Sequence, residues 1–203
     1  MIWCGIILFC CSTKCTMAVE RLFQSRIAIR EIALHPSQKL LSHDQAYAFV
    51  NQAHDHRKSI ILLEGIWDLT HPGHVQHIRE AKKHADLVLL KLASAEYAKF
   101  YKGKDRPIET FRDMMVSELE NVDAVLVEDS VIPPESIPEN ARLLMQLRPD
   151  KVAMEIEDEQ FQQKFKTVDY ANRHLGAKIE SVVMVLPYVM STTAIVNKIR
   201  SIQ

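Results

Sequence analysis

The sequence predicts an α/β fold in which a doubly wound parallel sheet is covered by helices on both faces. Three observations carry that prediction. The runs "SIILLEG", "ADLVLLKLA" and "VDAVLVED" are apolar at most positions, as strands buried on both faces are. Segments with apolar residues at helical spacing alternate with these runs along the chain. No internal repeat, low-complexity tract or clear second domain breaks the alternation. Right-handed crossovers then give a doubly wound layer. Ligands in such sheets bind outside the carboxyl ends of the strands, near the switch in strand order.

Residues 1–41 form an N-terminal extension, irregular in its last part, and residues 42–203 form a single domain. The domain opens on a helical lead-in. Ser42 and Gln45 make a capping box, and Ala46, Phe49, Val50 and Ala53 follow at helical spacing. "SIILLEG" is the first strand. Pro72 to His84 forms a helix with Val75, Ile78 and Ala81 on one face, and "ADLVLLKLA" is the second strand. A polar, basic segment from Lys99 to Arg106 interrupts, after which Ile108, Phe111, Met115 and Leu119 mark the apolar face of another helix. "VDAVLVED" is the third strand, and "SVIPPESIPEN" is a loop in which Pro138 suits a first helical turn. A helix to Leu147, a strand at "DKVAMEI", a helix on Phe161, Phe165, Val168 and Leu175, and a strand at "KIESVVMVLP" complete the alternation. The last segment, Ser191 to Ile202, carries Ile195, Ile199 and Ile202 along one side.

Composition narrows the function. A formal net charge of −1 argues against general nucleic-acid or anionic-membrane binding, which needs a broad basic field, so anion chemistry must rest on local clusters. The four cysteines, Cys4, Cys10, Cys11 and Cys15, all precede the part that reads as folded. Their spacing matches no zinc pattern, and a disulfide there has no core to staple. The body therefore reads as that of a reduced, cytoplasmic protein. The start, "MIWCGIILFCCSTKCTMAVE", resembles a short signal segment but lacks a basic n-region and a small-residue cleavage site. It is also too short to span a bilayer, and a true start at Met17 is the blander reading.

The joint between the first strand and the next helix holds most of the chemistry. Gly65 permits a tight or positive-φ exit, Pro72 presets the first turn, and Gly73 lets a ligand approach the backbone. The free N–H groups and dipole of the new helix favour an anion there. His71 and His74, three apart, can project to one side of that helix start. Two imidazoles in that place suit a phosphate that gains negative charge during reaction. A chance pair of surface histidines is the bland alternative, and the spacing G-x-W-D-x-x-H-x-G-H is far more demanding than a pair.

"GIWDLTHPGH" closely resembles the HxGH signature of the cytidylyltransferase-like nucleotidyltransferases, and "STTAIVNKIR" resembles their second signature. Between them, "KFYKGKDRPI" is similar to a segment of the nucleotidyltransferase domain of bacterial ADP-heptose synthases, and the superfamily also includes glycerol-3-phosphate cytidylyltransferase. The resemblance runs from about Leu41 to Ile202 and implies a Rossmann-like fold. It also implies transfer of a nucleoside monophosphate from ATP or CTP to a sugar phosphate or polyol phosphate, with release of pyrophosphate. Positioning and charge stabilisation then carry the rate. On this reading His71, His74 and Lys102 are catalytic, with Lys99 and Arg106 assisting on nucleotide or acceptor. Gly65, Ile66, Trp67, Asp68 and Gly73 hold the nucleotide at one helix start, and Ser191, Thr192 and Thr193 cradle phosphates at the other. Plain N-capping accounts for Ser191 equally well, and Trp67 fits core packing as well as a base pocket. Mg²⁺ accompanies the triphosphate, held mostly by phosphate oxygens and water. No residue is assigned as a metal ligand, and a three-histidine site through His77 is set below the anion reading. The resemblance leaves room for a homodimer that no motif here demonstrates.

Two departures from the resemblance stand out. Met154 and Glu155 occupy positions near an expected lysine and glycine, and Val189 replaces a glycine before the Ser-Thr-Thr. They leave an alternative open: a catalytically diminished nucleotide-binding relative serving as a regulatory or partner subunit. His77 and His84 read as helix-surface residues, and the acidic run from Glu155 as a solvated turn.

Overall fold

The computed structural model describes residues 38–103, 111–156, 160–185 and 191–202. These belong to one unit running from Leu34 to Gln203. Six parallel strands form its sheet: β1 (Leu40–Leu41), β2 (Ile60–Gly65), β3 (Leu87–Ala93), β4 (Ala124–Glu128), β5 (Lys151–Glu155) and β6 (Glu180–Met184), in the order β1-β4-β3-β2-β5-β6. The chain steps outward from β2 through β3 to β4, then returns to β5 on the other side of β2. That reversal puts the topological switch point between β2 and β5, where this architecture opens a crevice. β2 and β3 pair along their whole lengths, from Ile60↔Leu87 to Gly65↔Leu92.

The apolar runs become strands because both sheet faces are covered. Ile60, Ile61, Leu62 and Leu63 of β2 have no solvent exposure, nor do Val88, Leu89 and Leu90 of β3. The helices are α1 (His43–Asp55), α2 (Pro72–Lys82), α3 (Ala95–Lys102), α4 (Arg112–Ser117), α5 (Ile137–Leu147), α6 (Phe161–His174) and α7 (Thr192–Arg200). The expected capping box starts α1: the Gln45 N–H donates to Ser42 Oγ, and the Ser42 N–H to Gln45 Oε1. Ala46, Phe49, Val50 and Ala53 are its buried face, as the periodicity predicts. Pro138 lies in the first turn of α5.

Four expectations need correction. Leu40–Leu41, which the pattern puts in the lead-in, pairs with Val125 and Leu126 as an edge strand; two residues are too few to show a period. The basic segment begins as a helix, α3, because Ser94 caps it by accepting the Tyr97 N–H. The apolar face expected of α4 is reversed: Phe111 and Met115 are exposed, while Arg112 and Val116 are buried. In α6, Phe165 is exposed and the helix packs through Val168 and Ala171. No described helix is long and apolar enough to cross a membrane.

Candidate active site

At the carboxyl end of β2 the chain leaves the sheet through Ile66–Thr70 and enters α2. The joint is not a surface loop: Trp67 is 3% exposed, Asp68 1% and His71 8%. Trp67 and Leu69 adopt left-handed backbone angles, φ 55° and 47°. Non-glycine residues pay about 1–2 kcal/mol each for that conformation and keep it only where surroundings enforce it. Two contacts from distant parts of the chain do so. Arg112 Nη1 donates to the Ile66 carbonyl at 2.6 Å, and Thr192 Oγ1 donates to the Asp68 carbonyl at 2.9 Å. Of the tight or positive-φ exit expected at Gly65, the structure shows the tight one, since its φ is not positive. Its role is close approach: a Cβ there would stand 3.1 Å from the Trp67 indole nitrogen.

His71 is the N-cap of α2 and accepts the Gly73 N–H on its own Nδ1 at 3.2 Å. That bond commits Nδ1 as an acceptor, so neutral His71 carries its proton on Nε2. His74, one helical step on, stacks on it with ring centroids 3.8 Å apart and planes inclined by 22°. Pro72 at the first helical position costs no hydrogen bond and sets the turn that brings the rings together. Burial lowers the His74 pKa to about 3, helped by the neighbouring rings of His71 and His77. Burial also lowers the His71 pKa, with the Glu155 carboxylate opposing. Both rings are therefore neutral at pH 7. The Nδ1 of His74 has no hydrogen-bond partner among the described residues.

Trp67 belongs to the core cluster and lies 5.1 Å from the His74 ring and 5.8 Å from the His77 ring, centroid to centroid. It packs beneath the histidines. His77, expected on the helix surface, is 8% exposed, and its Nδ1 contacts Glu155 Oε1. Glu155, expected in a solvated turn, thus couples the end of β5 to α2 across the switch point. Met154 is wholly buried, so that position supplies no cation.

The second helix start is built differently. Ser191 is the N-cap of α7, accepting the Ala194 N–H on Oγ at 3.2 Å. Thr192 is half-buried through its bond to Asp68, and Thr193 is exposed. The two signatures, more than a hundred residues apart in sequence, are therefore joined by one hydrogen bond. Lys99 is exposed and Lys102 half-buried on the last turn of α3, with Lys102 Nζ 5.0 Å from the centre of the Tyr101 ring. The described contacts do not bring either lysine to the histidines. Arg106 and Val189 lie outside the described residues, as do all four cysteines and Met17.

Beside the joint, a cavity opens at the carboxyl ends of β2, β3 and β4, with α5 and α6 as its far wall. Gly65 and Ile66 line it, so it touches the joint directly. Its charged lining is Glu64, Lys91, Glu128 and Lys164. The sequence reading assigned none of these a role, nor Arg112. A single charged residue on a strand end or a helix face has no signature in one chain.

The parallel α/β layer thus brings the paired histidines and the capped threonine turn together at its switch point, where sheets of this class bind their ligands. A cytidylyltransferase-like family model matches residues 62–201, and the chain belongs to that family of nucleotidyltransferases. Among curated relatives, the bifunctional protein HldE of Pseudomonas fluorescens is 34% identical over 169 residues, which is 79% of this chain and 32% of that protein. HldE of Wolinella succinogenes is 28% identical over 168 residues, 80% of this chain and 31% of that protein. The chain thus spans about a third of the length of these relatives. Among solved structures, a lipopolysaccharide core biosynthesis protein from Thermoplasma volcanium aligns with a TM-score of 0.51 at 19% identity, over 64% of this chain and 99% of that one. A pantothenate synthetase from Thermus thermophilus aligns with a TM-score of 0.50 at 16% identity, over 72% of this chain and 61% of that one. At such identities the structures establish a shared fold.

Proposed function

We propose that this chain transfers a nucleoside monophosphate from ATP or CTP to a sugar phosphate or polyol phosphate, releasing pyrophosphate. One observation carries the reading. The helix start bearing the stacked His71–His74 pair is tied through Asp68 to the helix start bearing Ser191–Thr193. A triphosphate spanning the two would meet two helix-dipole ends at once, together with the hydroxyls and imidazoles that cap them.

The acceptor's phosphate oxygen attacks the α-phosphorus, the bond to the bridging oxygen breaks, and pyrophosphate leaves with that oxygen's electrons. No group on the protein need become covalently attached, so positioning and charge stabilisation supply the rate. Neutral His71 offers the phosphates its Nε2–H, and the anion favours protonation of both rings as it binds. Ser191, Thr192 and Thr193 receive the outer phosphates. Lys99 and Lys102, from the last turn of α3, and Arg106, beyond it in sequence, neutralise phosphate charge. Mg²⁺ would accompany the triphosphate, carried mostly by phosphate oxygens and water, while Asp68 orients the joint rather than anchoring the ion by itself. The bound ion supplies charge neutralisation on the triphosphate.

Buried Met154 and the Glu155–His77 pair favour a second reading, a nucleotide-binding relative that no longer turns over and acts as a partner or regulatory subunit. One assay separates the two: pyrophosphate release with Mg²⁺, each of four nucleoside triphosphates, and a panel of sugar and polyol phosphates. Release that His74→Ala abolishes while the fold is kept supports the enzyme. Nucleotide binding without release across the panel supports the second reading, and no nucleotide binding at all contradicts both.

A further inference from the structure

Glu155 stands where a phosphate-binding joint has least use for an anion. It ends β5 across the switch point from α2, and among the described residues its carboxylate has one side-chain partner, the Nδ1 of His77. The three rings of α2 form one cluster. His71 stacks on His74, and His74 and His77 both pack on Trp67. Burial lowers the His71 pKa and the Glu155 charge opposes that shift, so the carboxylate acts on the first ring as well as touching the third. The Glu155 side chain keeps 28% of its surface exposed against 11% for His77, which makes the carboxylate the outer member of the pair. Elements beside β5 carry further charges, each with a partner of its own. On β2, Glu64 pairs with Lys91 at 2.5 Å; from α6, Lys164 Nζ donates to the Glu64 carbonyl at 3.2 Å; on β6, Glu180 pairs with Lys151 at 3.1 Å.

We infer that Glu155 is an internal counter-anion of the histidine cluster, which limits the affinity of the joint for a triphosphate, and that His77 shields it. A carboxylate within reach of His71 repels phosphates held at the same helix start, and a partly buried pair of charges is screened less than an exposed one. Neutral His77 leaves the carboxylate at full charge, whereas protonated His77 cancels it. Triphosphate binding therefore draws protons to the cluster, and shielding improves as pH falls through the histidine range. A joint that holds its anion less tightly than the helix start allows also lets pyrophosphate leave more readily. The inference rests on the reading that a triphosphate binds at this joint, and it is the same whether or not turnover follows.

The test is calorimetric titration of the full chain with the tri- and monophosphates of adenosine and cytidine. Glu155→Gln keeps an acceptor for His77 Nδ1 and removes the charge. It is expected to bind the triphosphate about three- to tenfold more tightly than wild type near pH 8. The gain should be smaller near pH 6, where the histidines protonate, and smaller for the monophosphate. Comparison with wild type at each pH cancels the titration of the nucleotide itself. His77→Gln leaves the carboxylate unshielded and should weaken the triphosphate near pH 6, an opposite sign that serves also if Glu155→Gln does not fold. Without nucleotide, the His71 ring resonance should titrate at lower pH in Glu155→Gln than in wild type. Unchanged or weaker triphosphate binding in Glu155→Gln overturns the inference, as does an equal gain at both pH values or an unmoved His71 titration. A wild-type chain that binds no nucleotide contradicts the nucleotide-binding reading instead, and the ligand-free His71 titration then decides whether Glu155 is the counter-anion of the cluster.

Discussion

The two helix starts that meet through Thr192 and Asp68 are unequal. The first rises out of the core: Trp67 is buried beneath its histidines, Arg112 holds the Ile66 carbonyl, and Glu155 engages His77 from the end of β5. The second begins a helix with no buried residue, attached through the Thr192 hydroxyl. The contrast teaches that a site can be assembled from one rigid half and one half that is merely docked. Preorganisation belongs where charge develops in the transition state. A group that receives departing phosphates gains from being easier to move, since product release follows chemistry.

The comparison breaks first at the histidines. His74→Ala removes a group from the rigid half and should lower kcat by about 10²–10³, with the thermal midpoint little changed. Steady-state pyrophosphate release and a melting curve on the same sample check it. A loss confined to KM would move His74 out of the transition state and into ground-state binding.

The second effect is on pH. The unfolded chain binds a proton at His74 near pH 6.5, whereas the folded chain does so only near pH 3. The stability this ring permits is therefore fully present above pH 6.5 and falls as pH drops through that window. Between pH 7 and 5 the loss is about 2 kcal/mol. Denaturant unfolding of wild type against His74→Asn across that range should show the difference shrinking in the variant, and parallel curves would remove the buried-ring account.

A smaller effect should appear at the docked half. Ser191→Ala removes the α7 cap and costs the helix about 0.5–2 kcal/mol. Hydrogen exchange should quicken across α7 while β2 and α2 keep their protection, because the helix is free to open by itself. Uniform quickening would show the two halves to be one cooperative unit. Smallest is Ile199→Ser: at 54% exposure the side chain should change stability by less than about 0.5 kcal/mol. A larger loss in denaturant unfolding would reveal a packing role that its exposure conceals.

The same contrast marks how far the sequence could be read. The buried strands, the capping box at Ser42 and the HxGH joint were legible because each repeats a local rule, of period, cap or turn. The inward faces of α4 and α6 were not. Phe111 and Phe165 stand at helical spacing yet face outward, since burial depends on which helix side meets the sheet. At the site, the stacked histidines followed from a three-residue spacing and a proline. The Thr192–Asp68 tie, the Arg112 anchor and the Glu155–His77 pair did not, because each joins residues 46 or more positions apart, a separation local pattern cannot carry.

The claim that one triphosphate lies across both helix starts is tested most directly by calorimetric titration of wild type, His71→Ala and Thr192→Val with the mono- and triphosphate of the preferred nucleoside. His71→Ala should weaken both nucleotides. Thr192→Val should weaken the triphosphate by about tenfold, a loss near 1.4 kcal/mol, and leave the monophosphate unchanged. Equal losses for the two nucleotides in Thr192→Val, or none for either, would contradict the account.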